Sequence, residues 1–321
     1  MRTKPGNIET SMLAVSDGVR SALGAIDREI FDFREFPSLF LGKAVRARFT
    51  LLMGRALGLD AAKAEKIAVA AELTHTASLL HDDCIDTARS RRGHPTVNEK
   101  LGVNAAILAG DLLISLAFEQ AAGAAPGLAP ELVRAVRSMT EGALLEENTR
   151  GSRVSAETAA RIVTLKTGSL FRWCALAAAN LAVRPELQEA CARIGSETGF
   201  AFQVIDDVLD FDGDPAECGK EILKDVSAGK FTLPLILALN APGTGAGAEA
   251  LLAELKTGPP ADLVPALGLA ALVKSGGFTA AARNSALERI LDLFPLMAAL
   301  PDRDGAQELK HFLLALAERK A

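Results

Sequence analysis

The chain has 321 residues, 49% hydrophobic, 23% charged and 5% aromatic, with no tyrosine and a formal charge of -5. That is ample material for one large core, and its wealth of alanine and leucine favours helix over strand. The negative balance gives no general reason to bind nucleic acid, so any polyanion must be held by local basic residues or by metal ions.

In chain order, apolar periodicity punctuated by Pro and Gly predicts helices over about 12–25, 43–58, 60–86, 102–122, 129–151, 155–180, 186–213 and 231–240, then several shorter ones, and no strand. Loops are expected at 87–101, 124–130, 212–220 and 241–248, and no linker separates two cores. The opening MRTKPGNIETSMLAV lacks the apolar stretch of a signal peptide, and AAILAGDLLISLAF is interrupted by Asp111 before it spans a bilayer. A soluble, cytoplasmic protein without a transmembrane segment is expected. The cysteines, Cys84, Cys174, Cys191 and Cys218, lack C-x-x-C spacing and read as reduced thiols.

On the helix predicted over 60–86, His75, Leu79, Asp82 and Asp86 fall on one stripe, and Gly199, Gln203, Asp206 and Asp210 repeat that spacing on the helix over 186–213. Two helices therefore end in the pattern D-D-x-x-D: Asp82, Asp83 and Asp86, then Asp206, Asp207 and Asp210. One such cluster is as well explained by an exposed acidic helix end, since like charges one turn apart are only mildly unfavourable. Two copies, each closing an apolar helix, point to a ligand. Oxygen-only donors suit Mg²⁺, which takes one or two carboxylates and completes its shell with water and phosphate oxygens. Basic residues follow each cluster, Arg91 and Arg92 after the first, Lys220 and Lys230 after the second. The pattern reads as a diphosphate held through bridging Mg²⁺.

HDDCID followed by RRGHPTVN, together with GFAFQVIDDVLD and GKFTLPLILAL, resembles the head-to-tail trans-prenyltransferases, the polyprenyl diphosphate synthases, most of all the medium- and long-chain bacterial ones. The likeness runs from LGKAVRARF at 41–49 to LVKSGGFTAAA at 272–282. It implies an all-α, single-domain helical bundle over 1–321 around a deep central cavity, with the acidic motifs facing each other across its mouth, in a homodimer. Carried over by position, Asp82 and Asp86 would hold two Mg²⁺ and Asp206 a third, supported by Asp83, Asp207 and Asp210. Arg91, Lys166 and Lys230, with Lys220, would neutralise the allylic diphosphate. Lys43, Arg46, His75 and Arg92 would bind isopentenyl diphosphate without metal, and Thr167 and Gln203 would sit beside the breaking bond and the forming cation. The implied reaction ionises the allylic C–O bond, alkylates the isopentenyl double bond and passes a proton to the released diphosphate. The chain departs from the family at Ala47, where Pro is usual, at Ala143, where an acid is usual, and at Leu223, where Gly is common.

Ala77 and Ser78 precede Asp82 by five and four positions, and Thr74, Ala71 and Ala70 extend the run of small side chains for about 15 Å along the helix. Short-chain members of the family resemble one another in placing a bulky aromatic there, so a product longer than geranylgeranyl is expected, with transient membrane contact on its release. A short-chain synthase, another ionising enzyme on this scaffold and a non-catalytic partner subunit are the other readings. The separate basic set for a second diphosphate speaks against the cyclising or head-to-head enzyme, and two intact motifs speak against the partner subunit. His81, Trp173 and Cys174 read as packing residues and His94 and His311 as surface ones, while Glu146 and Glu147 are expected on a solvated face.

Overall fold

A computed structural model describes residues 7–39, 42–212, 223–257 and 264–319. Lys220 and Cys218 lie outside these. The fold is all-α: α1 (Ile8–Gly24), α2 (Val45–Ala56), α3 (Ala61–Ile85), α4 (Val97–Leu101), α5 (Val103–Ala124), α6 (Leu128–Asn148), α7 (Ala156–Val163), α8 (Ser169–Leu181), α9 (Gln188–Asp212), α10 (Lys224–Ser227), α11 (Leu233–Asn240), α12 (Gly245–Thr257), α13 (Val264–Ser275), α14 (Phe278–Leu291), α15 (Phe294–Ala298) and α16 (Arg303–Ala317). Two compact units share these helices, one formed by Met1–Arg137, Leu170–Gly195 and Leu296–Leu309, the other by Ser138–Ser169, Ser196–Pro295 and Lys310–Ala321.

In the first unit α3 is the spine, packed against α1, α2 and α5. The Asp60 side chain starts it by accepting from the Ala62 N–H at 3.1 Å. Ile67, Leu73 and Leu80 fill the core around it, and fully buried Ala68, Ala70, Ala71 and Ala77 let neighbouring backbones approach closely. Asp111 lies within α5, as the helix predicted over 102–122 implies, but it does not break the apolar run as expected. The helix runs for 22 residues, apolar enough by composition to cross a membrane, and Asp111 projects from it beside His81. His81 is a packing residue, as expected, its Nε2–H donating to the Ile107 carbonyl of α5 at 3.2 Å.

The expected loop at 87–101 is more ordered than the sequence suggests. Thr87, at φ 49°, turns the chain out of α3, and the Ala88 N–H returns to the Asp83 carbonyl at 2.9 Å, which closes the helix with a Schellman-type stop. A two-stranded hairpin follows, pairing Ser90 with Pro95 and Arg91 with His94. Its two central residues, Arg92 at φ 52° and Gly93 at φ 76°, both adopt the positive φ that a tight turn between right-twisted strands demands. Four strand residues are too few to leave an alternating signature in sequence.

The second unit is built on a core of Phe211, Leu223, Val226, Leu235, Leu239, Leu269 and Val273. Leu223 explains one departure from the family pattern. Its φ of 55° is a conformation in which glycine is cheaper by about 1–2 kcal/mol, but its side chain is fully buried, which offsets that strain by about 2 kcal/mol. The helix expected over 155–180 is continuous from α7 into α8, with one wide π-helical turn at Thr164–Gly168 inside it. α12 begins at Gly245, inside the loop expected at 241–248.

Candidate active site

The first unit gathers the residues around HDDCID. Asp83 is buried, and the Arg91 guanidinium, folded back by the hairpin, meets it with Nη2 at 2.7 Å and Nε at 3.0 Å from each carboxylate oxygen. One arginine of the run thus compensates the aspartate that faces inward. Asp82, on the last turn of α3, and Asp86, its C-cap, are partly exposed. Arg92 turns the other way and donates to the Ser38 carbonyl at 3.1 Å. Its guanidinium lies against Gly42, where a Cβ would come within 2.5 Å of Nη2, so any side chain there would have to push the arginine aside.

Arg46, Arg91 and Arg92 converge electrostatically on His75. Burial first, then these three cations, hold the imidazole well below its ordinary pKa, so it is neutral. Arg46 also stacks over the Phe171 ring, 5.3 Å from its centroid. Sequence reading missed Glu72, one turn before His75. It is buried and accepts from the Ala47 N–H at 2.8 Å, and burial raises its pKa while Arg46 opposes the rise. An N–H is what proline lacks, so Ala47, in the family's usual Pro position, supplies a bond to Glu72. Ser78 donates to the His75 carbonyl at 2.8 Å, and Ala77 is fully buried.

The second unit encloses a cavity of about 110 Å³ lined by Lys166, Thr167, Gln203, Asp207 and Lys230 and by Glu146, with Phe200, Val163 and Phe231 on its apolar walls. Thr167 Oγ1 donates to Gln203 Oε1 and Gln203 Nε2 to Asp207 Oδ1, both at 2.9 Å, a chain of two bonds that fixes the amide. The π turn swings Lys166 and Thr167 inward over Gly142 of α6, where a Cβ would lie 2.6 Å from the Lys166 nitrogen. Glu146 corrects the expectation of a solvated face. It accepts from Lys166 Nζ at 2.7 Å inside the cavity, whereas Glu147 is exposed and pairs with Arg150.

Asp225, also missed in the sequence, belongs to this cluster, with Lys230 Nζ 3.7 Å away. Asp210 accepts from the N–H groups of Lys224 and Asp225 at 3.0 and 3.1 Å and so caps α10. Burial, then the Asp225 charge, pushes Asp207 well above the carboxylate range and Asp210 up to about 7. Asp206 is half exposed. A carboxyl raised on folding favours the protonated native state, so its contribution is complete below the ordinary value of 3.8 and is lost as pH rises through about 7. Asp210→Asn should therefore be more stable than the parent in EDTA, by a margin that grows from about pH 4 to about pH 7 and then levels off. Urea denaturation at each pH measures it, and a margin independent of pH would contradict the assignment.

The donors suit a hard cation. They are all oxygens, Asp82 and Asp86 lie on one helix face with solvent access, and Asp206 faces outward. Among the described residues no three His, Cys, Asp or Glu side chains form a ready-made metal cage.

A profile for Polyprenyl synthetase matches residues 38–259. The chain is 34% identical to octaprenyl diphosphate synthase of Escherichia coli (strain K12) over 220 residues, 68% of each chain. It is 34% identical to geranylgeranyl diphosphate synthase of Mycobacterium tuberculosis over 282 residues, 84% of this chain and 77% of that one. Its fold is similar to that of a decaprenyl diphosphate synthase from Rhodobacter capsulatus, with TM-score 0.85, 26% identity and coverage of 98% of this chain and 97% of the other.

Proposed function

The chain belongs to the polyprenyl synthetase family, and from that premise we propose that it is a head-to-tail trans-prenyltransferase that joins isopentenyl diphosphate to an allylic diphosphate, giving an all-trans polyprenyl diphosphate longer than geranylgeranyl. The observation that carries the reading is the pair of all-oxygen acidic helix ends, each accompanied by buried or half-buried cations. By the family resemblance Asp82, Asp86 and Asp206 would hold Mg²⁺, three ions for one allylic diphosphate. When bound, these ions neutralise charge on the leaving group. Lys166 and Lys230 add cations to the same anion, and Thr167 and Gln203, joined to each other and held through Gln203 by Asp207, present oxygen dipoles to the developing allylic cation.

Isopentenyl diphosphate is bound by Lys43, Arg46, His75 and Arg92. Neutral His75 contributes a hydrogen bond, not a charge, and Glu72 keeps the start of α2, with Arg46, in register. We further propose a cytoplasmic homodimer. The exposed apolar residues Leu101 at the end of α4 and Val103, Ile107 and Leu108 at the start of α5 support self-association, and product release involves transient membrane contact.

Two tests follow from the division of labour. Arg92→Ala should raise KM for isopentenyl diphosphate about tenfold or more, the loss of one charge-assisted bond, and leave KM for the allylic primer nearly unchanged; equal effects on both would contradict separate sites. Ser78→Phe should shorten the products. Ser78 is the cleaner position because it is partly exposed, whereas a ring at fully buried Ala77 would overpack the core by about 1–3 kcal/mol. An unchanged product distribution from a folded, active Ser78→Phe enzyme would place the length-setting wall elsewhere.

A further inference from the structure

The far end of the chain reaches the second acidic cluster. Arg319, two residues beyond α16, places Nη2 at 3.4 Å from Asp206 Oδ1. Its position is built by another arginine: Arg283 of α14 donates from Nη1 to the carbonyls of Ala317 and Arg319 at 2.8 and 2.9 Å, and its Nη2 lies 3.7 Å from Asp212 at the end of α9. The Arg319 Nε is buried and has no hydrogen-bond partner among the described residues.

A guanidinium this far from a half-exposed carboxylate forms a weak pair. Its bidentate fork is only partly used, since Nε has no acceptor among the described residues. Asp206 is also the carboxylate assigned to metal above, and an oxygen facing a guanidinium presents the wrong partner to a divalent cation, because the two positive charges repel at contact distance.

We propose that Arg319 is an exchangeable counter-ion of the second acidic cluster that yields Asp206 to metal and then, still tethered through Arg283, donates its fork to the diphosphate that the metals bring. The inference rests on the metal role of Asp206. It makes a prediction with two opposite signs: without Arg319, metal alone binds more tightly, while diphosphate in the presence of metal binds less tightly.

The test uses full-length protein carrying Asp82→Asn and Asp86→Asn, so that Mn²⁺ reports on the second cluster, with free Mn²⁺ read by electron paramagnetic resonance. Adding Arg319→Ala should tighten Mn²⁺ binding about two- to fivefold, the range of an exposed ion pair, and Arg319→Lys should stay near the parent. In the otherwise unaltered chain with saturating Mn²⁺, Arg319→Ala should weaken binding of inorganic diphosphate about tenfold, as the loss of a charge-assisted fork. Mn²⁺ affinity that is unchanged or lower in Arg319→Ala would overturn the exchange while leaving the metal site standing. No Mn²⁺ binding in any of these proteins would overturn the exchange and the metal role of Asp206 together.

Discussion

Asp82→Ala is expected to lower kcat by on the order of 10³-fold, the scale on which removing a preorganised charge-stabilising element acts, while the thermal unfolding temperature stays within a degree or two of the parent. Asp82 is partly exposed on the last turn of α3, with Asp83 and Asp86 beside it. Removing one carboxylate from three at a partly exposed position relieves repulsion between them. Asp206→Ala should behave alike, since its contact with Arg319 is long and half exposed. Steady-state kinetics over a Mg²⁺ series, paired with unfolding with and without Mg²⁺ and a diphosphate analogue, separates chemistry from folding. Near-normal turnover in either variant would remove that aspartate from the metal site.

Arg91→Ala is expected to do the reverse and damage the fold first, by about 3 kcal/mol. The side chain of Asp83 is 3% exposed, and among the described residues its carboxylate is met by the Arg91 fork. Deleting the arginine leaves an ionised carboxylate in the core, whereas deleting both partners leaves nothing to solvate. Asp83→Ala combined with Arg91→Ala should therefore recover a large part of the loss, measurable as a double-mutant cycle in urea. Additive single effects would mean that the pair is not coupled. Any loss of affinity for the allylic primer in Arg91→Ala has to be judged against this loss of stability, which Arg92→Ala should not share.

The acidic stripes on α3 and α9 were legible because both obey one helical period, and a period needs no knowledge of distant contacts. The alanine-rich helices were legible for the same reason. What stayed hidden depends on partners far apart in the chain. Glu72 looked like one charge in an apolar run until α2 placed the Ala47 N–H against it. Glu146 has a solvent-facing neighbour in Glu147, and only the π turn carrying Lys166 distinguishes the two. Arg319 and Asp206 are separated by more than a hundred residues, and no local pattern links them. The reach of Arg91 back to Asp83 needed a hairpin whose only local sign was the Arg-Gly pair at 92 and 93, a weak turn signal without Asn or Asp.

The central claim is chain elongation, and the direct measurement incubates purified protein with labelled isopentenyl diphosphate, Mg²⁺ and, in turn, geranyl, farnesyl and geranylgeranyl diphosphate, then sizes the dephosphorylated products by reversed-phase chromatography. The account predicts metal-dependent incorporation with at least one primer, and all-trans products longer than geranylgeranyl. Absence of incorporation with every primer, from protein that is folded and binds Mg²⁺, would contradict it.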